Sequence, residues 1–230
     1  MKDLVFRDVV CGYGDTMVLR GVSGRVGPGR VLGILGRNGV GKTTLMRALA
    51  GFLPLAGGQV QWQGSDLARV PCHARLARGI AYAPQEEVVF AELSVQENLW
   101  LHLPERQGDR YAALLARFPR LAERLAQRAG SLSGGERKLL SFTRTLGLRA
   151  DVSLLDEPTE GVQPENIEHM AVLLRQRCDE AGAAFIVVEQ NLSFLMGVAD
   201  DVIVLDHGDC VLQGPLANFG REVLESHLVV

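Results

Sequence analysis

An α/β fold with a mostly parallel core sheet is predicted by three features of this chain. Residues 31–35 have the unbroken apolar character of a strand buried on both faces, helices and strands alternate through the second half, and a glycine-rich loop joins strand to helix at residues 36–44. At 230 residues the chain fits one domain with room for a substantial core. A hydrophobic content of 47%, a charged content of 22% and a formal net charge of -3 describe an ordinary globular composition, with no basic excess to suggest nucleic acid. No apolar run approaches the roughly 20 residues that span a bilayer. Charge already enters within residues 1–4, so the chain is expected to be neither exported nor inserted by itself. Cys11, Cys72, Cys178 and Cys210 stand singly, which predicts buried, reduced thiols rather than a zinc site or a disulfide scaffold.

Residues 4–10 and 17–26 read as antiparallel strands joined by a turn at Gly12-Tyr13-Gly14-Asp15. Tyr13 then sits at a strand end, either as a packed surface aromatic, which its position alone favours, or as a ring stacked on a base. The run 31–35 leads into Gly36-Arg37-Asn38-Gly39-Val40-Gly41-Lys42-Thr43-Thr44, and a helix continues over 45–50 until Gly51 stops it. That is the context required of a G-x-x-x-x-G-K-[ST] phosphate loop. Its glycines let backbone N–H groups converge on anionic oxygens, Lys42 reaches the β- and γ-phosphates, and the Thr43 hydroxyl is a Mg²⁺ ligand.

Gly57 and Gly58 punctuate the chain before an alternating strand at 59–64 and a turn at Gly64-Ser65-Asp66. Pro71 starts a short helix carrying Arg75 and Arg78, and Gly79 ends it. A strand at 80–83 is broken by Pro84, which places Gln85 near the crevice where ligands meet the carboxyl ends of parallel strands. From 93 to about 148 the character is helical. Ser94 with Glu97 resembles a capping box, and 109–128 reads as a long amphipathic stretch interrupted by Pro119, its arginines most simply a solvated face, with some of them able to meet a partner helix.

Leu132-Ser133-Gly134-Gly135-Glu136 opens a helix that runs to 148, and its capping serine and two glycines make a second potential anion site. The apolar strand that follows ends in Asp156, placed to hold Mg²⁺, and Glu157, placed to orient or deprotonate an attacking water. The remainder alternates: helix 164–181, strand 184–188, helix 192–198, strand 202–205, then a hairpin turn at Gly208-Asp209 into 210–213.

Taken together, the phosphate loop, LSGGE at 132–136 and LLDEP at 154–158 resemble the ATP-binding subunit of ATP-binding-cassette (ABC) transporters over essentially the whole chain. The resemblance implies a P-loop NTPase fold of the ABC type: a mostly parallel core sheet, an antiparallel β subdomain and an inserted helical subdomain. The core lobe would comprise about 1–84 and 149–230, and the helical lobe about 85–148. It implies ATP and Mg²⁺ as ligands, Tyr13 as the adenine-stacking aromatic, and Gln85 as the residue linking Mg²⁺ and water to the helical lobe. In this family two subunits pack head to tail, so Leu132, Ser133, Gly134, Gly135 and Glu136 of one chain would close over the γ-phosphate on the other. The region 85–99 is implied to grip a membrane partner.

Two positions depart from the family pattern. Gln190 stands where most members carry a histidine, which leaves γ-phosphate sensing through a hydrogen bond but no cationic form, and Gln163 takes the place of an aspartate after the catalytic Glu157. DEPTEGVQP and VVEQN are similar to the branched-chain (hydrophobic) amino acid uptake group, and Ala83-Pro84-Gln85 and the C-terminal Ser226-His227-Leu228-Val229-Val230 look closer to its urea-type subunit. The implied function is an ATPase subunit of an importer for branched-chain amino acids, urea or short amides. It would lie peripherally on the cytoplasmic face of the plasma (inner) membrane. The implied partners are transmembrane permease subunits, a second ATP-binding subunit (a heterodimer in the cell, a homodimer in isolation), and indirectly a periplasmic or extracellular solute-binding protein. The alternatives are an ABC ATPase serving another solute and a soluble, non-transport ABC ATPase, but the chain has neither the long coiled-coil insertion nor the second cassette of the latter. A P-loop kinase has no need of LSGGE, and a GTPase would carry an N-K-x-D motif, which is absent.

Overall fold

The structure, a computed structural model, describes residues 2–103 and 110–228. Met1, Asp109, Val229 and Val230, which entered the sequence reading, lie outside the described residues. Among the described residues, ten strands form two sheets. The larger has the order β10-β9-β3-β8-β7-β6, from β3 (Val31–Leu35), β6 (Ile80–Ala83), β7 (Val152–Asp156), β8 (Ala184–Val188), β9 (Asp201–Asp206) and β10 (Asp209–Pro215). All its neighbours are parallel except the edge strand β10, which forms a hairpin with β9. The smaller sheet is antiparallel, in the order β2-β1-β4-β5, from β1 (Leu4–Tyr13), β2 (Thr16–Val26), β4 (Gly57–Trp62) and β5 (Ser65–Asp66).

The apolar strands of the parallel sheet serve two cores at once, because alternate side chains leave opposite faces. Leu32 and Ile34 of β3 join Leu154, Ile186 and Val188 in the core beneath the antiparallel sheet and α1 (Lys42–Ala50). Val31 and Leu35 join Leu155, Phe185 and Val187 in the core against α6 (Gly134–Gly147), α7 (Pro164–Ala181) and α8 (Leu192–Val198). That second core extends without a break into α3 (Val95–Trp100), α4 (Ala112–Arg117) and α5 (Pro119–Ala122), through Leu99, Tyr111, Phe118 and Leu121.

Most expected elements are present, with boundaries moved by pairing. β1 extends through Tyr13, which narrows the first turn to Gly14-Asp15. β4 starts at Gly57, so the paired glycines lie inside the strand, and the following turn is Gln63-Gly64, with Ser65-Asp66 folding back as β5. The final hairpin turns at His207-Gly208 rather than Gly208-Asp209, both residues having positive φ. The short helix after Pro71 is α2 (Cys72–Arg75), continued as a 3-10 turn to Gly79.

The amphipathic run 109–128 is not one helix. It is α4 and α5, separated at Phe118 by φ -125 and ψ 70, because Pro119 disfavours helical geometry in the residue before it and Phe118 is needed in the core. Two of its arginines meet α6: Arg110 donates to Gly147 O at 2.8 Å, and Arg124 pairs with Glu136 at 2.8 Å. Cys11 and Cys178 are buried, but Cys72 is half-buried and Cys210 exposed. A last helix, α9 (Arg221–Ser226), buries Leu224 and was not anticipated. Among the described residues no helix is long and apolar enough to cross a membrane.

Candidate active site

The carboxyl ends of four neighbouring strands, β3, β8, β7 and β6, deliver the site. β3 ends at Leu35 and the chain turns through 36–41 into α1, which opens at Lys42 itself. Gly41 holds the turn at φ 109, and a Cβ there would lie 2.7 Å from Leu19 Cδ2, so both backbone angle and space call for glycine. No side chain caps α1 and no acidic residue lies in its first turn, which leaves its N–H groups for an anion. Lys42 is buried and folds back over the loop, donating to Gly36 O and Arg37 O at 2.8 Å, with Glu157 Oε1 3.8 Å away. Burial pulls its pKa down, opposed by the charges of Glu157 and Asp156.

β7 supplies the carboxylates. Thr43 Oγ1 lies 3.3 Å from Asp156 Oδ1 and 3.4 Å from Gln85 Oε1, so a hydroxyl, a carboxylate and an amide oxygen converge. An all-oxygen donor set of this kind suits Mg²⁺. Tyr82, which sequence reasoning did not single out, donates to Asp156 Oδ2 at 3.3 Å from within β6. Burial, only partly offset by the Thr43 hydrogen bond, raises Asp156 to about 6.

A raised carboxyl contributes stability while protonated: fully below its unfolded pKa near 3.8, and lost as pH rises through about 6. In the nucleotide-free chain Asp156→Asn, which stays neutral, is therefore expected to unfold at a higher temperature than wild type at pH 8. The gain is on the order of 2 kcal/mol, or about 4–8 °C, and should shrink by pH 5. Thermal melts at the two pH values check this, and equal melting temperatures at pH 8 would contradict the buried, raised carboxyl.

Glu157 leaves the strand in the left-handed region, φ 47, with its N–H on Val188 O at 2.9 Å. Its carboxylate is held from both sides: Gln85 Nε2 donates to Oε2 and Gln190 Nε2 to Oε1, each at 2.8 Å. Gln190 also donates to Asn38 Oδ1 of the phosphate loop at 2.8 Å. Gln190 thus bridges the loop and the Glu157 carboxylate by hydrogen bonds, without charge. Gln190→Ala is expected to slow hydrolysis about tenfold or more and to leave ATP affinity within about threefold, since the bridge orients Glu157 rather than holding phosphate. Paired turnover and binding assays check it, and the reverse pattern would reject the bridge.

Glu189, also missed from sequence, is 2% exposed and accepts the N–H groups of Thr159 at 2.8 Å, Gln190 at 3.1 Å and Asn191 at 3.2 Å. It ties the segment after Glu157 to the one carrying Gln190. Its pKa is raised by burial, against those hydrogen bonds. A lone acid directly after the five apolar residues of β8 was the available signal.

The LSGGE block lies elsewhere. Ser133 and Glu136 form a reciprocal capping box at the start of α6, Arg124 grips the Glu136 carboxylate, and Leu132 is buried. Gly135 meets the segment after Glu157 so closely that a Cβ would sit 2.2 Å from Gly161 O. Ser133, Gly135, Gly161 and Gln163 line a cavity of about 790 Å³ to which no phosphate-loop residue contributes. Ser133 Oγ accepts from Glu136 N, which leaves its hydroxyl proton free to point outward. Tyr13 is 44% exposed at the end of β1, with its hydroxyl 3.4 Å from Arg47 Nη1 of α1, an accessible ring rather than a packed one. The chain thus unites Lys42, Thr43, Gln85, Asp156, Glu157 and Gln190, while Ser133 and Gly135 line a separate cavity.

Residues 19–160 match the family model described as "ABC transporter". The chain is 35% identical over 213 residues, 91% of each chain, to the high-affinity branched-chain amino acid transport ATP-binding protein BraG of Pseudomonas aeruginosa. It is 32% identical over 222 residues, 93% of this chain and 91% of the other, to the lipopolysaccharide export system ATP-binding protein LptB of Escherichia coli. Its fold superposes with a TM-score of 0.82 on a nucleotide-free ATP-binding cassette from an ABC transporter, at 25% identity and over 99% of this chain and 95% of that one.

Proposed function

The chain belongs to the ABC transporter family, whose ATP-binding subunits hydrolyse ATP, and from that premise we propose that it is the ATPase of an importer for branched-chain amino acids, urea or short amides. The observation that carries the catalytic half of this reading is the double clamp on Glu157, by Gln85 on one oxygen and Gln190 on the other, 3.8 Å from Lys42. In this reading the adenine stacks on Tyr13, and residues Gly36 to Thr44 wrap the phosphates with backbone N–H groups. Lys42 holds the β- and γ-phosphates, and Glu157 takes a proton from, or orients, the attacking water. Thr43 and Asp156, with Gln85 alongside, would hold Mg²⁺, which would supply neutralisation of phosphate charge.

The other half is supplied in trans. The signature residues Leu132 to Glu136 close over a partner's γ-phosphate, so MgATP closes a dimer and hydrolysis reopens it. In the cell the partner is a second, different ATP-binding subunit. The membrane grip belongs to the cleft between the core lobe, about 1–84 and 149–230, and the helical lobe, about 85–148. That cleft, about 490 Å³, is lined by the exposed Phe52 together with Tyr82, Glu86, Glu87 and Arg144. The chain then sits peripherally on the cytoplasmic face, with the solute-binding protein engaged through the permease.

The solute class rests on DEPTEGVQP, VVEQN and the similarity to BraG, and the similarity to LptB supports a second reading, ATP supply to an exporter. Co-purification with the membrane subunits separates the two. Stimulation of ATPase by leucine, urea or a short amide together with the solute-binding protein is the expected result. Stimulation by a lipid-linked glycan instead would establish the exporter.

A further inference from the structure

α6 opens on the signature and, one turn on, sends a side chain back into its own catalytic cluster. Lys138 is 8% exposed, and its Nζ lies 2.8 Å from Gln85 O, 3.0 Å from Glu157 O and 3.3 Å from Glu160 Oε2. Gln85 follows β6 and Glu157 and Glu160 follow β7, so one ammonium gathers the two loops whose side chains meet across the 2.8 Å bond from Gln85 to Glu157. Glu157 needs such a hold. Its φ of 47 is a left-handed conformation that a side-chain-bearing residue keeps only when its surroundings enforce it, and its carbonyl otherwise accepts one long bond, from Glu160 N at 3.4 Å. Lys42 approaches the Glu157 carboxylate, whereas Lys138 holds its carbonyl, so the residue is gripped at both ends by buried cations from different helices.

The other end of the same short lever is Ser133, which forms a reciprocal capping box with Glu136 and lines a cavity to which no phosphate-loop residue contributes. Five residues of rigid helix, about 7.5 Å of rise, separate the capping serine from the lysine. Any shift of α6 that seats the signature on a partner's nucleotide is therefore passed to the carbonyls of Gln85 and Glu157. Building on the ATPase reading above, we propose that Lys138 is a positioning residue that couples the two ATP sites of the dimer, by making each subunit's Glu157 respond to the seating of that subunit's signature on the other nucleotide.

The test uses the full-length chain at a concentration where it dimerises with ATP. ATPase rate against ATP concentration and equilibrium ATP binding are measured for wild type, Lys138→Met and Lys138→Arg. The methionine variant is expected to lose about tenfold in kcat and to bring the Hill coefficient from above 1 down to 1, with ATP affinity within about threefold; the arginine variant should retain most of both. A methionine variant that merely melts earlier, with kcat and Hill coefficient unchanged, overturns the proposal, as does a wild-type Hill coefficient of 1. Should the methionine variant not fold, Lys138→Gln, which keeps a donor but no charge, is expected to lower the Hill coefficient, and an unchanged coefficient overturns the coupling. Failure of wild-type protein to bind ATP is the separate result that would remove the ATPase reading itself.

Discussion

Replacing Glu157 with Gln is expected to reduce ATP turnover by about 10²- to 10⁴-fold, the range for loss of a positioned general base, while ATP still binds. The substitution preserves shape, but an amide cannot accept on both sides as the carboxylate does from Gln85 and Gln190. It also removes the negative charge opposite Lys42 Nζ at 3.8 Å, which is no loss to a bound triphosphate. The variant should accumulate as an ATP-bound dimer, visible by size-exclusion chromatography, with a single-turnover rate far below wild type. Turnover at the wild-type rate would remove Glu157 from the chemistry.

Lys42→Ala is expected to act on the other side of the same pair. Its ammonium is buried, its pKa pulled down by burial, and it is satisfied by two carbonyls of the loop. Truncating one partner of a buried, hydrogen-bonded charge pair costs about 2–5 kcal/mol in binding, which weakens ATP by about 30-fold or more. Wild-type protein with ATP at about 100 times Kd gains about 2.7 kcal/mol of apparent stability, and the variant at the same ATP concentration should lose about two thirds of that gain or more in a thermal melt. A ligand-induced melting shift equal to that of wild type would show that the phosphates are held elsewhere.

The parts legible in the sequence are those whose cause is local. The phosphate loop declares itself because its glycines, lysine and threonine must occupy fixed places between one strand and one helix, and Ser94 and Ser133 cap helices through residues three positions on. Pairing decided what propensity did not. β1 runs on to Tyr13 because Tyr13 meets Thr16 across the hairpin, and the 109–128 run breaks at Phe118 because the core takes that ring. Tyr82, Lys138 and Glu189 escaped because their partners lie 74, 53 and 30 residues away in sequence. Periodicity cannot reveal such partners, although a lysine on a helix whose next nine residues are all buried was a visible anomaly. Gln190 was found by its place in a motif, yet its two-way bond to Asn38 and Glu157 needed coordinates.

The central claim is that the phosphate loop is half of a site, completed by Ser133, Gly134 and Gly135 of another subunit. Mixing two inactive chains tests it most directly. Lys42→Ala spoils the loop and Ser133→Arg spoils the signature, and a dimer containing one of each has one site with both halves broken and one with both halves intact. At a protein concentration where wild-type activity per chain has reached its plateau, the 1:1 mixture is expected to regain a substantial fraction of wild-type ATPase activity, while each variant alone stays inactive. A mixture no more active than its components would contradict the account, because it would mean that each chain builds its catalytic site from its own residues.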